Sequence, residues 1–288
     1  MGTQIHAGKN YRRVVELIQS GAIGSVSECH VWCPKNWANG KFVKTDKPVP
    51  AHLDWDLWLG PAPQRVWQPG IHPGDWRRFW EYGNGTLGDM GCHYMDLPFW
   101  ALKLKYPTSV SAEGPGLDPD GTPDTLAVHW NYPARGEMPA VKVSWYDGNV
   151  KSKMPAALFE KDAVLAKREK EKSFESGVLF IGEKGMLVAD YDHYRLFPEE
   201  KFKDFQPPAP TIPDSIGHHN EWIAACKSSG PTTCNFDYSG PLSEAILLGN
   251  VAFRVGQTLD WDAENLKARG CPAADPIIRR EYRKGWEL

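Results

Sequence analysis

GVLFIGEKGMLVAD, residues 177–190, places two short apolar runs on either side of a polar turn. Branched and aromatic residues over five or six positions, interrupted by Glu-Lys-Gly, are a hairpin signal, and Gly185 is expected to supply the turn's positive φ. The same texture surrounds it: IGSVSECHVWCP (23–34), TSVSAEGP (108–115), TLAVHWNY (125–132), AVKVSWYD (140–147) and HYRLFP (193–198) each read as a strand. Helical spacing occupies the two ends. KNYRRVVELIQS (9–20) is amphipathic and stopped by Gly21, and IGHHNEWIAACKSS (216–229) and SGPLSEAILLGNVAFRVGQTL (239–259) follow the strands. Strands grouped between helices imply an α+β layer architecture, with helices enough to cover only one face of the sheet.

Composition narrows the function. The chain has 288 residues, 41% of them hydrophobic and 24% charged, with a net charge of −3, which is ordinary for a folded domain and gives no basic footprint for nucleic acid. No apolar run approaches a membrane span, and the first residues lack a signal peptide's apolar stretch, so the expected location is the cytoplasm and no membrane partner is expected. The six cysteines show no paired spacing and are read as reduced thiols. Thirteen tryptophans are unusual, and eight lie between Trp32 and Trp100, much of that span being the Pro- and Gly-rich stretch 36–75. They are either an aromatic core or stacking platforms for sugar rings. FEKDAVLAKREKEKSFES (159–176) is a charged insertion, read as a solvated helix or lid.

GTLGDMGCHYMD (85–96) carries the chemistry. On a helix over about 87–104, Asp89, His93 and Asp96 fall on one face, while Leu87, Met90, Tyr94, Leu97 and Ala101 make the core-facing stripe. An Asp one turn before a His can orient the imidazole and raise its basicity for proton transfer. The preceding GNGTLG (83–88) matches a dinucleotide fingerprint, but DWRRFWEY before it is no buried strand and no acidic residue follows at the ribose distance. It is read as a decoy, and no cofactor-binding residue is assigned. Trp37, Arg77 and Trp80 are candidates for stacking and hydroxyl recognition, with His218 or His219 closing the other side. His6, His93, one of His218 and His219, and an Asp are the combination from which a metal site would be drawn. No short-range ligand spacing supports it, and no metal is assigned.

Three separated motifs, GTQIHAGKNYRRVVELIQSGAIG (2–24), GNGTLGDMGCHYMDLPFWAL (83–102) and AILLGNVAFRVGQTLDWD (245–262) with a terminal YRKGW, together resemble a bacterial branch of the Gfo/Idh/MocA family (glucose–fructose oxidoreductase and inositol dehydrogenase). The resemblance implies a substrate domain of an NAD(P)-dependent oxidoreductase acting on a sugar or polyol, with Asp89 and His93 as its acid/base pair. It also implies that residues 1–288 form a single C-terminal-type domain built on a large, mostly antiparallel open sheet with helices packed on one face, residues 1–8 being the remnant of the last Rossmann strand, with no complete Rossmann domain. TDKP, with Lys47, only echoes the family's Glu-Lys-Pro motif. This chain alone is therefore expected to bind no dinucleotide. It would be a truncated enzyme, one half of a split enzyme whose NAD(P)-binding domain is a separate polypeptide, a stand-alone lyase, epimerase or hydrolase, or a non-catalytic carbohydrate-binding subunit. Apolar alternation on both sheet faces implies a homo-oligomer.

Overall fold

The computed structural model describes residues 2–148 and 175–287. Its centre is β1 (Val26–Cys33), whose Cys29, Val31 and Cys33 are sealed on one face while Trp32 packs on the other. The remaining strands are β2 (Ser109–Glu113), β3 (Ala127–Tyr132), β4 (Val141–Asp147), β5 (Gly177–Gly182), β6 (Gly185–Ala189), β7 (Tyr194–Phe197), β8 (Leu259–Asp262) and β9 (Lys267–Arg269). They form one sheet in the order β7-β6-β5-β1-β4-β3-β2-β8-β9. Among the described strands only the β1–β4 pairing is parallel, and it needs a long crossover, which the chain between them provides. The expected mostly antiparallel open sheet is what forms.

The described helices are α1 (Lys9–Gln19), the short α2 (Trp55–Leu59), α3 (Gly85–Tyr94), α4 (Asp96–Ala101), α5 (His218–Ser228), α6 (Phe236–Val255) and the short α7 (Asp275–Ile278). Among the described residues α1, α3, α4 and α6 pack into the main core on one face of the sheet. Beneath them Val128, Trp130, Val143, Trp145 and Phe180 join Leu17, Leu87, Leu97 and Leu242 in the main core. On the opposite face Trp32, Tyr146, Leu179, Val188 and Phe197 make a second apolar cluster, the alternation on which the expectation of self-association rests.

Two glycines let α3 settle onto its neighbours. A Cβ on Gly91 would stand 2.8 Å from Ile246 of α6, and one on Gly249 would stand 2.8 Å from Leu87 and 2.9 Å from a methyl of Val128. Gly249→Ala should gain about 1 kcal/mol of helix propensity. It should lose more by overpacking against the stiff Val128, for a net destabilisation of about 1 kcal/mol. A lower urea midpoint at unchanged slope checks this; a more stable variant would show that α3 and α6 have room to spare.

Several elements depart from the sequence reading. The long helix divides at Met95, because Pro98 has no N–H to return to the Tyr94 carbonyl; Met95 itself stays helical. The 177–190 hairpin forms, with Glu183 and Lys184 between paired Gly182 and Gly185, but Gly185 is not in the positive-φ region. Its lack of a side chain serves packing instead: a Cβ would sit 2.5 Å from the Phe197 carbonyl oxygen. Gln4–Ala7, expected as a strand remnant, form a 3-10 turn. Strands β8 and β9, too short for a periodicity signal, were not anticipated. Stretch 36–75 contributes a satellite core in which Trp55, Leu59, Ile71 and Phe79 are buried against Trp58, Trp67 and Trp76. Trp55 and Trp58 stack at 4.7 Å, and Trp55 donates its indole N–H to the Arg65 carbonyl. Most of these tryptophans are thus packed in or against a core. Nearly all of the charged insertion, 159–176, lies outside the described residues.

Candidate functional site

The site is assembled around the start of α3. Asn84 adopts the left-handed conformation, and its carbonyl oxygen accepts from Asn250 of α6 at 3.0 Å. Gly85 also has a positive φ, and a Cβ there would meet Thr122 at 2.8 Å, so only glycine fits. Thr86 accepts the Trp37 backbone N–H at 2.8 Å, and Thr122 donates to the Trp37 carbonyl at 2.8 Å. Thr86 in the first turn of α3 and Thr122 from a distant loop therefore fix the Trp37 main chain against the helix start.

Arg77 fills the space beside it. Its guanidinium carbon lies 5.2 Å from the Trp37 ring and 4.5 Å from the Trp76 ring, and its Nε donates to Asp89 at 2.9 Å. Both partners of this ion pair are partly exposed, at 28% and 20% of their side chains, so a ligand can reach them while the two indoles hold the guanidinium in place. The structure thus brings together Trp37, Arg77 and Asp89, three of the residues singled out from sequence. Trp76, missed there although it adjoins Arg77, completes the group. Trp76 also lines a cleft of about 640 Å³ with Trp58, Glu81, Tyr82, Arg280 and Tyr282. Asp89 and His93 do not line that cleft.

His93, one turn after Asp89, is half-buried, and its carbonyl accepts from Tyr11. Burial pushes the imidazole below its ordinary value of 6.5, with the Asp89 and Asp96 carboxylates opposing the shift. The expected Asp–His hydrogen bond is replaced by the Asp89–Arg77 pair, so the ring is made less basic, not more. An imidazole that is neutral at pH 7 is a proton acceptor. Cys92, which precedes it, and Cys33 of β1 are protonated thiols, held up by burial at about 11 and about 12.

The other sequence candidates lie elsewhere. Trp80 is buried, packs against Phe253 and donates its indole N–H to the Asp118 carbonyl at 3.0 Å, so its faces are spent on the core. His218 and His219 open α5, exposed and in contact with each other at 4.1 Å, and do not close the site. Asp96 is wholly buried and accepts from His6 Nδ1 at 2.9 Å and from the Tyr238 hydroxyl at 2.6 Å. Burial alone would lower the His6 imidazole; Asp96 and Cys234 outweigh it and hold it up at about 9. The metal-ligating combination drawn from sequence is therefore corrected. His6 keeps an Asp, but its third neighbour is Cys234, not His93 or a histidine of α5.

GNGTLG forms no phosphate cradle. A Cβ on Gly83 would lie 2.4 Å from the Arg77 Cα, Gly85 is filled by Thr122, and the Asn84 carbonyl is already engaged. Protein atoms occupy the space a pyrophosphate would need.

An open mixed sheet with helices packed on it and a polar cluster at the start of α3 define an open alpha/beta domain. Residues 8–137 match the C-terminal alpha/beta domain of the Gfo/Idh/MocA oxidoreductase family. GenD2 from gentamicin A biosynthesis, solved in complex with NAD, is similar in fold: 14% identity, 91% of this chain and 63% of that one covered, TM-score 0.50. The WlbA dehydrogenase from Bordetella pertussis, in complex with NADH and UDP-GlcNAcA, matches at 17% identity over 86% of this chain and 59% of its own, with a TM-score of 0.48. An oxidoreductase from Thermotoga maritima matches at 14% identity over 90% and 61%, with a TM-score of 0.47. The chain spans about three fifths of the length of these proteins. No curated relative matches the sequence. Among the described residues no helix is long and apolar enough to cross a membrane.

Proposed function

We propose that this chain is the substrate side of a sugar or polyol oxidoreductase, in which His93 exchanges a proton with a substrate hydroxyl that Arg77 and Asp89 hold. The observation that supports it is the Trp37–Arg77–Trp76 stack aimed at Asp89, one helical turn from a neutral, partly exposed imidazole. Arg77 offers donors to a hydroxyl oxygen, Asp89 accepts a hydroxyl proton in a hydrogen bond, and the Trp37 face suits the C–H side of a sugar ring. His93 then takes the proton that leaves as a hydroxyl becomes a carbonyl, or returns it in the reverse direction. A nicotinamide would accept the accompanying hydride. GNGTLG is packed too tightly to cradle that cofactor, so the reading assigns its binding to another domain or polypeptide.

Titration calorimetry of the chain against a panel of hexoses, inositols and uronic acids tests the reading. His93→Ala should abolish binding or weaken it at least tenfold while the melting temperature stays nearly constant. Unchanged affinity for every ligand the native chain binds, or a panel with no ligand at all, overturns it.

The depressed imidazole has a separate signature. Below its ordinary value of 6.5 the unfolded chain holds more protons at this residue than the folded one, so stability falls as pH falls through that window. His30 and His129, also lowered chiefly by burial, contribute the same sign. His93→Gln should therefore make the acid side of the stability curve shallower without flattening it. An identical acid limb in both proteins would mean that His93 is fully solvated.

A further inference from the structure

His6, Asp96 and Cys234 come from three unconnected parts of the chain: the first 3-10 turn, the start of α4 and the loop before α6. One donor atom from each lies within 4.8 Å of the other two. We propose that these three residues bind a divalent cation of the zinc class, leaving one coordination position for water or a ligand group. The site is distinct from the Arg77–Asp89–His93 cluster and does not depend on the reading given to it.

The donor set selects the ion. A thiolate, an imidazole and a carboxylate suit a borderline-soft cation such as Zn²⁺ and suit Mg²⁺ or Ca²⁺ poorly. The His6–Asp96 edge is close to what such an ion needs, and the Cys234 sulfur, within 4.8 Å of both, closes in by about an ångström at most. With metal–ligand bonds of about 2.0–2.3 Å, tetrahedral donors stand roughly 3.2–3.8 Å apart. His6 Nδ1 lies 2.9 and 3.1 Å from the two Asp96 oxygens, so that edge opens by only a few tenths of an ångström.

Each ligand is also held from behind, as metal ligands are. The Tyr238 hydroxyl donates to Asp96 Oδ1 at 2.6 Å, which leaves Oδ2 to face an ion. Thr3 Oγ1 donates toward Cys234 Sγ at 3.6 Å. Trp100 stacks on the His6 ring at 3.9 Å and 13°, fixing its plane. Charge closes the account: a dication beside one carboxylate, one thiolate and a neutral imidazole is neutral overall, which suits a pocket where His6 and Asp96 are both sealed from water. On binding, the ion displaces the thiol proton and the proton shared between His6 and Asp96; both pass to solvent, and no redox partner is required.

The rival is a hydrogen-bonded ion pair that only ties the three segments together. In that case the sulfur has no task, and serine serves equally well. Co²⁺ added to the full, metal-stripped chain distinguishes the two. The site predicts a near-ultraviolet thiolate-to-cobalt band saturating at a single ion per chain. That band should vanish in Cys234→Ser and persist in Cys226→Ser, which removes an exposed cysteine of α5. Zn²⁺ should displace the cobalt and raise the melting temperature of the native chain but not of Cys234→Ser. Circular dichroism of the metal-free variants, matching that of the native chain, separates loss of the site from loss of the fold. A chain that shows no band, or a band that survives Cys234→Ser, overturns the proposal.

Discussion

Asp96→Ala, measured by urea unfolding in a chelating buffer, should lose about 3–5 kcal/mol of stability, the usual cost of removing one member of a buried pair. The carboxylate is wholly buried, and the variant strips partners from two other buried groups at once. The Tyr238 hydroxyl loses its 2.6 Å acceptor, and the His6 ring loses the negative charge that keeps it protonated. His6 softens the loss by shedding its proton, because a neutral imidazole under Trp100 is far cheaper to bury than an imidazolium. The tyrosine keeps only the longer bond to the Asp96 backbone carbonyl, at 3.2 Å. Asp96→Asn keeps an oxygen for Tyr238 and should fall between the native chain and Asp96→Ala. A loss below about 1 kcal/mol in Asp96→Ala would place the network among exposed, weakly contributing pairs.

That network shows what sequence can and cannot deliver. Asp96 is visible as a member of the Asp89–His93–Asp96 face, because helical spacing is a local property. Its partners are not. His6 lies 90 residues away and Tyr238 lies 142 residues away, and nothing in either neighbourhood marks them as meeting. The same division runs through the fold. Strands with clear alternation, such as AVKVSWYD, carry their identity in a few residues, and both faces of that pattern are buried as expected. Strands β8 and β9, four and three residues long, are stabilised by pairing to β2 and to each other, which no local pattern records.

Side-chain roles fail for a related reason. Trp37 and Trp80 look alike in sequence, each beside charged or polar neighbours in a Trp-rich stretch. Tertiary contacts decide between them: Thr86 and Thr122 set Trp37 beside Arg77, whereas the Asp118 carbonyl and Phe253 consume Trp80. The Asp–His spacing likewise predicts proximity correctly and pairing incorrectly, because Arg77 reaches Asp89 from another segment. The resemblance to Gfo/Idh/MocA proteins supplied what periodicity could not, the selection of Asp89 and His93 among many polar residues on helices.

Trp130→Ala should cost about 3–5 kcal/mol, the range for truncating a large buried aromatic. It should also reach the candidate site without touching it. Trp130 is fully buried at the middle of β3, opposite Val143 of β4 and Val110 of β2. Its indole N–H donates to the Ala245 carbonyl at 2.7 Å, so a single side chain both fills the space under α6 and ties that helix to the sheet. Trp130→Phe separates the two roles: it keeps most of the apolar volume and loses the hydrogen bond, with an expected cost of about 1–2 kcal/mol. The remainder of the alanine effect belongs to the cavity. The functional consequence follows from what α6 carries. Ile246 packs on Gly91 of α3, Asn250 holds the Asn84 carbonyl at the start of α3, and Tyr238 holds Asp96. When α6 loosens, the helix bearing Asp89 and His93 loses its backing, and geometry at Arg77 relaxes with it. Affinity for any ligand bound through His93 should therefore fall in Trp130→Ala under conditions where the chain is still folded, and fall less in Trp130→Phe. Destabilisation with fully native affinity would show that α3 is positioned by the sheet and the 36–75 stretch alone, and that α6 is a cover and not a brace.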